Sequence, residues 1–233
     1  MKAVIMAAGI GTRMGKSYEK TPKCLCRING QTLLERHVNI LKKYGAERIV
    51  VVIGDQGDCW NEKSKRLLMD IHDDIIINRE NLTTCNSYSL FLGIEQLDSG
   101  PVLALDGDAF YGEKTLDRIY QYPDDSLIIT RRVESMDLPG NRVIVEGEKV
   151  TGIGRDIEMQ YPGHVYSGIL MISEKDFSFF KETIKKEKFK KEELSYPLND
   201  ILKQRPIYNL EITNNLFNIN TLEDVAKAEK LKN

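Results

Sequence analysis

Met1-Lys2-Ala3-Val4-Ile5-Met6-Ala7-Ala8-Gly9-Ile10-Gly11-Thr12-Arg13-Met14-Gly15-Lys16-Ser17, with Thr21-Pro22-Lys23 shortly after, is the stretch whose reading decides the fold. The apolar run from Ala3 to Ala8 suits a short strand buried on both faces. It is marginal for a signal-peptide core, and a polar, Gly-rich segment follows it instead of a cleavage region. Two familiar phosphate-binding templates nearly fit and fail. G-x-G-x-x-G needs Gly at position 14, where Met14 stands. G-x-x-x-x-G-K-[ST] ends correctly at Gly15-Lys16-Ser17 but needs Gly at position 10, where Ile10 stands. What remains is a Gly-rich turn after a buried strand, with backbone N–H groups and the cations Arg13, Lys16 and Lys23. Such a turn can approach phosphate oxygens, Arg offering a planar fork and Lys a compact charge. The competing reading is a tight turn that happens to carry surface cations.

Working outward, strand-like and helix-like segments alternate through the first half. Thr32 to Tyr44 carries Leu33, Leu34, His37, Ile40 and Leu41 at helical spacing, and Gly45 closes it. Arg48 to Ile53, Ile75 to Asn78 and Val102 to Leu105 read as strands, and Asn86 to Leu97 as a helix. This alternation predicts an α/β fold whose mixed, mostly parallel central sheet is flanked by helices. The second half is less regular. Ser126 to Arg131, Arg142 to Val145, Lys149 to Ile153 and Ser167 to Ile172 read as strands, with Gly147-Glu148 turning a hairpin. Lys175 to Lys191 reads as one charged helix with a solvated face, and Thr221-Leu222-Glu223-Asp224 as a capping box opening a last helix. No repeat, linker or boundary divides residues 1–233, so a single domain is expected.

Composition narrows the function. With 33 Lys+Arg against 35 Asp+Glu the net charge is −2, leaving no excess of positive charge for a nucleic acid partner. No apolar run approaches the ~18 residues that would span a membrane. Cys24, Cys26, Cys59 and Cys85 form no C-x-x-C, and a C-x-C without a nearby His is weak for zinc. They read as reduced thiols of a cytoplasmic protein.

Two further motifs could carry chemistry. Asp106-Gly107-Asp108 ends the strand that starts at Val102. Ligands of open α/β sheets bind at strand carboxyl ends, and paired carboxylates there suit Mg²⁺ bridged to phosphates. A plain β-turn with solvated acids is the competing reading. In Phe217-Asn218-Ile219-Asn220-Thr221, Asn218 and Asn220 would face one side of an extended segment. One of them could complete a metal site, or Asn220 could simply precede a helix cap.

Together these motifs resemble the nucleotidyltransferases that build sugar nucleotides. The order A-A-G-x-G-[TS]-R, then P-K, continues through Leu105-Asp106-Gly107-Asp108, Tyr166-Ser167-Gly168-Ile169 and Asn218-Ile219-Asn220-Thr221-Leu222-Glu223-Asp224. Asn86-Ser87-Tyr88-Ser89-Leu90 resembles the N-x-Y-S-L element of the phosphocholine and 2-aminoethylphosphonate cytidylyltransferase branch. The resemblance implies a single GT-A-like Rossmann-type domain. Its nucleotide-binding half would be about residues 1–125 and its acceptor-binding half about 126–233. It implies Mg²⁺-dependent transfer of CMP from CTP to a small phosphate- or phosphonate-bearing acceptor, with a homodimer as an open expectation. Arg13, Lys23 and Asp108 would be catalytic. Ala8, Gly9, Gly11, Thr12, Asn86, Ser87 and Asp106 would join Arg13 and Lys23 around the nucleotide. Tyr166, Gly168, Tyr196 and Asp200 would face the acceptor, and Asp106, Asp108 and Asn220 the metal. The late ligand position is often acidic in this branch, whereas here it is Asn220. No aromatic cage for a quaternary ammonium is evident, which disfavours phosphocholine. Asp200 could pair with an amino group on the acceptor, or could simply be an acid at a helix start. The alternatives are a sugar-1-phosphate uridylyl- or thymidylyltransferase, a glycosyltransferase using Asp106-Gly107-Asp108, and a non-catalytic nucleotide-binding module.

Overall fold

The apolar run near the N-terminus forms strand β1 (Lys2–Met6), in which Ala3, Val4 and Ile5 are wholly buried. The computed structural model describes residues 1–11, 20–72, 74–134, 140–158, 160–213 and 215–231. β1 lies between β4 (Arg48–Gly54) and β6 (Val102–Asp106), parallel to both, with Ile5 opposite Val51 and Leu105. Side chains alternate across the sheet, which is why the strand is apolar throughout. Ala3 and Ile5 enter one core with Val51, Leu103 and Leu105, and Val4 and Met6 enter the other with Val50, Val52 and Ala104.

β5 (Ile75–Asn78) extends the sheet in parallel beyond β4. On the other side, β11 (Gly163–Ile172) runs antiparallel to β6 and to β8 (Leu127–Val133). β12 (Tyr208–Glu211) lies parallel to β8, and the hairpin of β9 (Arg142–Glu146) and β10 (Lys149–Gly154) closes the far edge. The nine-stranded order is thus β5, β4, β1, β6, β11, β8, β12, β10, β9. The sheet is mixed, as expected. Its parallel character belongs to the first half, and the second half is antiparallel except for β8–β12, with a hairpin joining β9 to β10 while two α-helices lie between β11 and β12.

Helices α1 (Leu33–Lys43), α2 (Glu62–Ile71) and α4 (Lys114–Ile119) cover one face with Leu34, Leu41, Leu68 and Leu116. Thr32 caps α1 reciprocally with Glu35. Helices α3 (Asn86–Ile94), α5 (Phe177–Ile184) and α6 (Ser195–Leu202) cover the other with Leu90, Ile94, Phe180, Leu198 and Ile201. The expected single helix over Lys175 to Lys191 is broken. A 3₁₀ turn precedes α5 and another, Glu187–Phe189, follows it. Phe177, Phe180 and Ile184 anchor this region in the core, so only part of its charged surface is solvated.

A smaller third core sits beside the carboxyl end of the sheet. There α7 (Leu222–Glu229), opened by the Thr221–Asp224 capping box, packs Val225 and Ala228 against Ile28, Phe110 and Phe217. These come from the short pairs β2 (Arg27–Ile28) with β3 (Gln31–Thr32), and β7 (Ala109–Phe110) with β13 (Phe217–Asn218). Among the described residues no helix is long and apolar enough to cross a membrane.

The packing of α3 on β1 is tight at Gly93, where a Cβ would fall 2.3 Å from Val4 Cγ1. Gly93→Ala gains about 1 kcal/mol of helix propensity but overpacks a wholly buried contact at a cost of roughly 1–3 kcal/mol. The expected outcome is a net loss of stability in urea unfolding, and a stabilised variant would contradict this packing.

Candidate functional site

The chain leaves β1 across the carboxyl ends of its neighbours. Ala7 N donates to Val52 O (2.8 Å), and Gly107 N donates to Met6 O (2.8 Å). The turn after β6 therefore lies against the turn after β1. A side chain at Gly107 would put its Cβ 2.9 Å from Ala7 Cα, so close backbone approach dictates glycine there. Asn81 fastens the first turn from the other side, donating to Ala8 O (3.4 Å) and Gln56 O (2.9 Å).

Lys23 returns to this edge from the 3₁₀ turn Lys23–Leu25. Its Nζ donates to Asp108 Oδ2 and to Asn220 Oδ1, each at 2.8 Å. Gly11, at φ +67°, brings the first turn against the same lysine, and a Cβ there would sit 3.0 Å from Lys23 Cγ. Asn218 Nδ2 donates to the second oxygen, Asp108 Oδ1 (3.0 Å). Asn218 and Asn220 are brought here by β13, whose Asn218 faces Ala109 of β7, and by the bond from Ile219 N to Asp108 O (2.8 Å). The ion pair is largely buried, with side chains 13% and 22% exposed. Removing one partner of such a pair leaves the other desolvated and uncompensated.

Asp106 lies beside it at the end of β6. Burial, and then the neighbouring charge of Asp108, push its carboxyl up to about 8, against the opposing effects of Asn86 and Lys23. Gly168, at φ +82° in a bulged part of β11, stands over this carboxylate. A Cβ there would lie 2.9 Å from Asp106 Oδ2 and 3.0 Å from Asn218 Nδ2. Glycine thus keeps a space open beside the acid pair.

This donor set fits a hard cation. Two carboxylates repel one another at a strand end, two amides stand beside them, and Gly168 keeps the approach clear. Among the described residues no cluster of three or more His, Cys, Asp or Glu could hold a metal ion. Mg²⁺ needs none, since it binds through one or two carboxylates together with phosphate oxygens and waters.

A cleft of about 620 Å³ runs from these acids across the sheet edge. Its first wall includes Ala8, Gly9 and Asn86, and its second Arg131, Asn141, Tyr166, Arg155 and Glu193. Arg131 Nε, Asn141 Oδ1 and Tyr166 Oη are buried and find no hydrogen-bond partner among the described residues. Buried polar atoms are ordinarily paired, and these three belong to residues that line one cleft, which makes it the candidate ligand site. Burial pushes the Arg131 guanidinium pKa down, opposed by Asp224 on α7.

Of the residues expected at the site, Ala8, Gly9, Asn86, Asp106, Asp108, Tyr166, Gly168 and Asn220 line the cleft. Lys23 shares an adjoining pocket with Gly9, Asp106 and Asp108. Thr12 and Arg13 lie outside the described residues, as do Met14 to Ser17. Three expected residues, Ser87, Asp200 and Tyr196, do not line this cleft. Ser87 is wholly buried and donates to Phe189 O (2.6 Å) and to Glu192 O, so it ties α3 to the segment before α6. Asp200 is on the outer side of α6, where Lys188 (2.7 Å) and Lys203 (2.8 Å) hold its carboxyl down to about 2. Tyr196 is exposed and lines a separate pocket of about 500 Å³, which shares only its border residues Cys85, Arg155 and Glu193 with the cleft.

The sequence reading missed Arg131, Asn141, Arg155 and Glu193. Arg131 had a signal, because it continues the inward alternation of Leu127 and Ile129, where an unpaired charge is unexpected. Glu193 follows a Lys/Glu run and is hidden by it. Asn141 and Arg155 carry no local signal.

Residues 3–145 match the MobA-like NTP transferase domain. Over 244 aligned residues the chain is 27% identical to the choline-phosphate cytidylyltransferase of Streptococcus pneumoniae, an alignment covering 99% of this chain and 98% of that protein. It is 33% identical over 108 residues to the 2-aminoethylphosphonate cytidylyltransferase of Lancefieldella rimae, covering 46% of this chain and 42% of that one. The solved structure of CTP:phosphocholine cytidylyltransferase from Streptococcus pneumoniae superposes with a TM-score of 0.78 at 23% identity, over 98% of this chain and 97% of the other. That superposition shows a shared fold.

The raised Asp106 carboxyl has a consequence for stability. Its folded pKa lies near 8 and its unfolded value near 3.8, so between these the folded state holds the extra proton. Stability contributed by Asp106 is present below about pH 4 and is lost as pH rises towards 8. Asp106→Asn removes that loss. Its melting temperature without ligand should exceed that of the wild type at pH 8, with the gap closing towards pH 4. Parallel melting curves across that range would contradict the assignment.

Proposed function

The chain belongs to the MobA-like NTP transferase family, and from that premise we propose that it transfers CMP from CTP to a small phosphate- or phosphonate-bearing alcohol. Pyrophosphate is the other product and Mg²⁺ the cofactor. The observation that carries this reading is Lys23, fixed 2.8 Å from both Asp108 and Asn220 at the carboxyl edge of the sheet. The named relatives support the choice of nucleotide and acceptor class, because both are cytidylyltransferases of small head groups.

The reaction asks little of the protein as an acid or base. An oxygen of the acceptor, already anionic, attacks the α-phosphorus in line, and the bond to the β-phosphate oxygen breaks. Catalysis then consists of positioning and charge neutralisation. Lys23 offers its ammonium to the α-phosphate as negative charge gathers there. The Gly-rich turn from Ala8 to Gly11 offers backbone to the nucleotide. Arg131, with its buried and unpartnered Nε, is suited to the acceptor's anionic end. Asp106 and Asp108, with Asn218 and Asn220, would hold Mg²⁺, which when bound supplies charge shared with the triphosphate oxygens. Arg13 is assigned to the departing phosphates by resemblance alone.

A pyrophosphate-release screen tests this reading, with four NTPs against phosphocholine, phosphoethanolamine, 2-aminoethylphosphonate and several sugar 1-phosphates. The expected result is turnover with CTP and the small acceptors, dependent on Mg²⁺. Turnover confined to UTP or dTTP with a sugar 1-phosphate would replace it with the sugar-nucleotide reading. CTP binding without pyrophosphate release from any pair would replace it with a binding module, which the amides at 218 and 220 would then explain.

Substitutions should separate the roles. Lys23→Ala should lower kcat by about 10²-fold or more with a smaller change in KM for CTP, as expected for a charge that acts mainly in the transition state. Asp108→Ala should cost a similar factor that added Mg²⁺ does not restore. Near-normal rates in both variants would move the reaction away from this edge.

A further inference from the structure

We infer that the cleft's second wall selects an acceptor whose head group donates hydrogen bonds, and that Asn141, with Tyr166 and Glu193, discriminates against a quaternary ammonium. The inference rests on the proposed transfer to a small phosphate or phosphonate.

The orientation of Asn141 is fixed by its neighbour. Its Nδ2 lies 3.4 Å from Glu193 Oε2, and a carboxylate can only accept. The amide oxygen must therefore point the other way. It is buried and has no partner among the described residues, and Asn141 is among the residues that line the cleft. Tyr166 Oη is in the same condition, and the two residues are neighbours, with Tyr166 N donating to Asn141 O at 2.9 Å. Glu193 supplies a third acceptor. Arg155 holds its carboxylate through Nε, 2.8 Å from Oε1 and 2.9 Å from Oε2, which leaves further lone pairs free. The wall thus offers acceptor groups matched to the N–H donors of a primary ammonium.

Arg155 also cancels the charge of Glu193, so this wall attracts a cation weakly. Recognition must come from satisfying the orphaned oxygens, and a hydroxyl head can do this as well as an ammonium. A trimethylammonium cannot, because it carries no donor and leaves Asn141 Oδ1 unpaired. An aromatic cage is the usual alternative for such a head. Among the described residues, the aromatic rings lining the cleft are Tyr166 and Phe217. Lys227 Nζ already stands 4.3 Å from the Phe217 ring centroid, and Phe110 packs against that ring at 5.3 Å. One ring remains, which does not make a cage.

The test holds the phosphate constant and varies only the number of N–H donors. At saturating CTP, kcat/KM is measured for phosphoethanolamine, its N-methyl and N,N-dimethyl derivatives, and phosphocholine. The expected result is a stepwise fall, tenfold or more from first to last and mostly in KM. In Asn141→Ala the series should compress to within about threefold through a loss on phosphoethanolamine, with phosphocholine little changed. Tyr166→Phe, which removes only the hydroxyl, should compress it in part and guards against misfolding of the first variant. Phosphocholine equal to or better than phosphoethanolamine overturns the inference, as does a uniform loss across the series in both variants. If none of the four acceptors releases pyrophosphate while a sugar 1-phosphate does, the transfer reading fails first and takes this inference with it.

Discussion

Lys23 is held by two groups from distant parts of the chain, Asp108 at a separation of 85 residues and Asn220 at 197. Much of the site follows from this contact. Asp108 is presented by the turn after β6, Asn220 by the segment after β13, and Lys23 by the 3₁₀ turn ahead of β2. The three meet only because β13 pairs with β7 and α7 closes the third core over both. The pair is mostly shielded from water, so its members depend on one another: losing either strands a charge where solvent cannot compensate it. The same arrangement sets a concentrated positive charge against two carboxylates at the edge where α/β sheets bind ligands.

Asp106 adds the opposing element. It is forced close to Asp108 by the backbone contact at Gly107, and burial makes its ionised form costly. Gly168 withholds the side chain that would fill the space above it. On the proposed reading, the Mg²⁺ that accompanies the nucleotide would make the ionised acid pair favourable. In the ligand-free protein the proton held by Asp106 relieves the repulsion between the two acids, while the two cores beneath hold the strand ends in position.

The N-terminal half was legible in the sequence because its strands are buried on both faces and its helices carry clean apolar spacing. β1, β4, β5, β6, α1 and α3 all fall where Ala3, Arg48, Ile75, Val102, Leu33 and Asn86 place them. The motifs at Lys23, Asp106, Asp108 and Asn220 were legible too, since each lies at a strand end or beside a cap. The charged segment from Lys175 to Lys191 misled, because periodic Lys and Glu hid the anchors Phe177, Phe180 and Ile184. Asp200 misled for the opposite reason: a lone acid near the expected acceptor side was already satisfied by two lysines, Lys203 one turn on and Lys188 twelve residues before it. Arg131, Asn141 and Glu193 come together only through the pairing of β8, β9 and β11 and the return of the chain to α6. No local spacing encodes that meeting.

A crystal structure with a CTP analogue carrying a non-hydrolysable α,β-methylene bridge tests the central claim most directly. The triphosphate is expected across the turn from Ala8 to Gly11, with Lys23 Nζ about 2.7–3.2 Å from a non-bridging α-phosphate oxygen and Asp108 on the same side. A nucleotide bound elsewhere, with Lys23 still engaged only by Asp108 and Asn220, would contradict it.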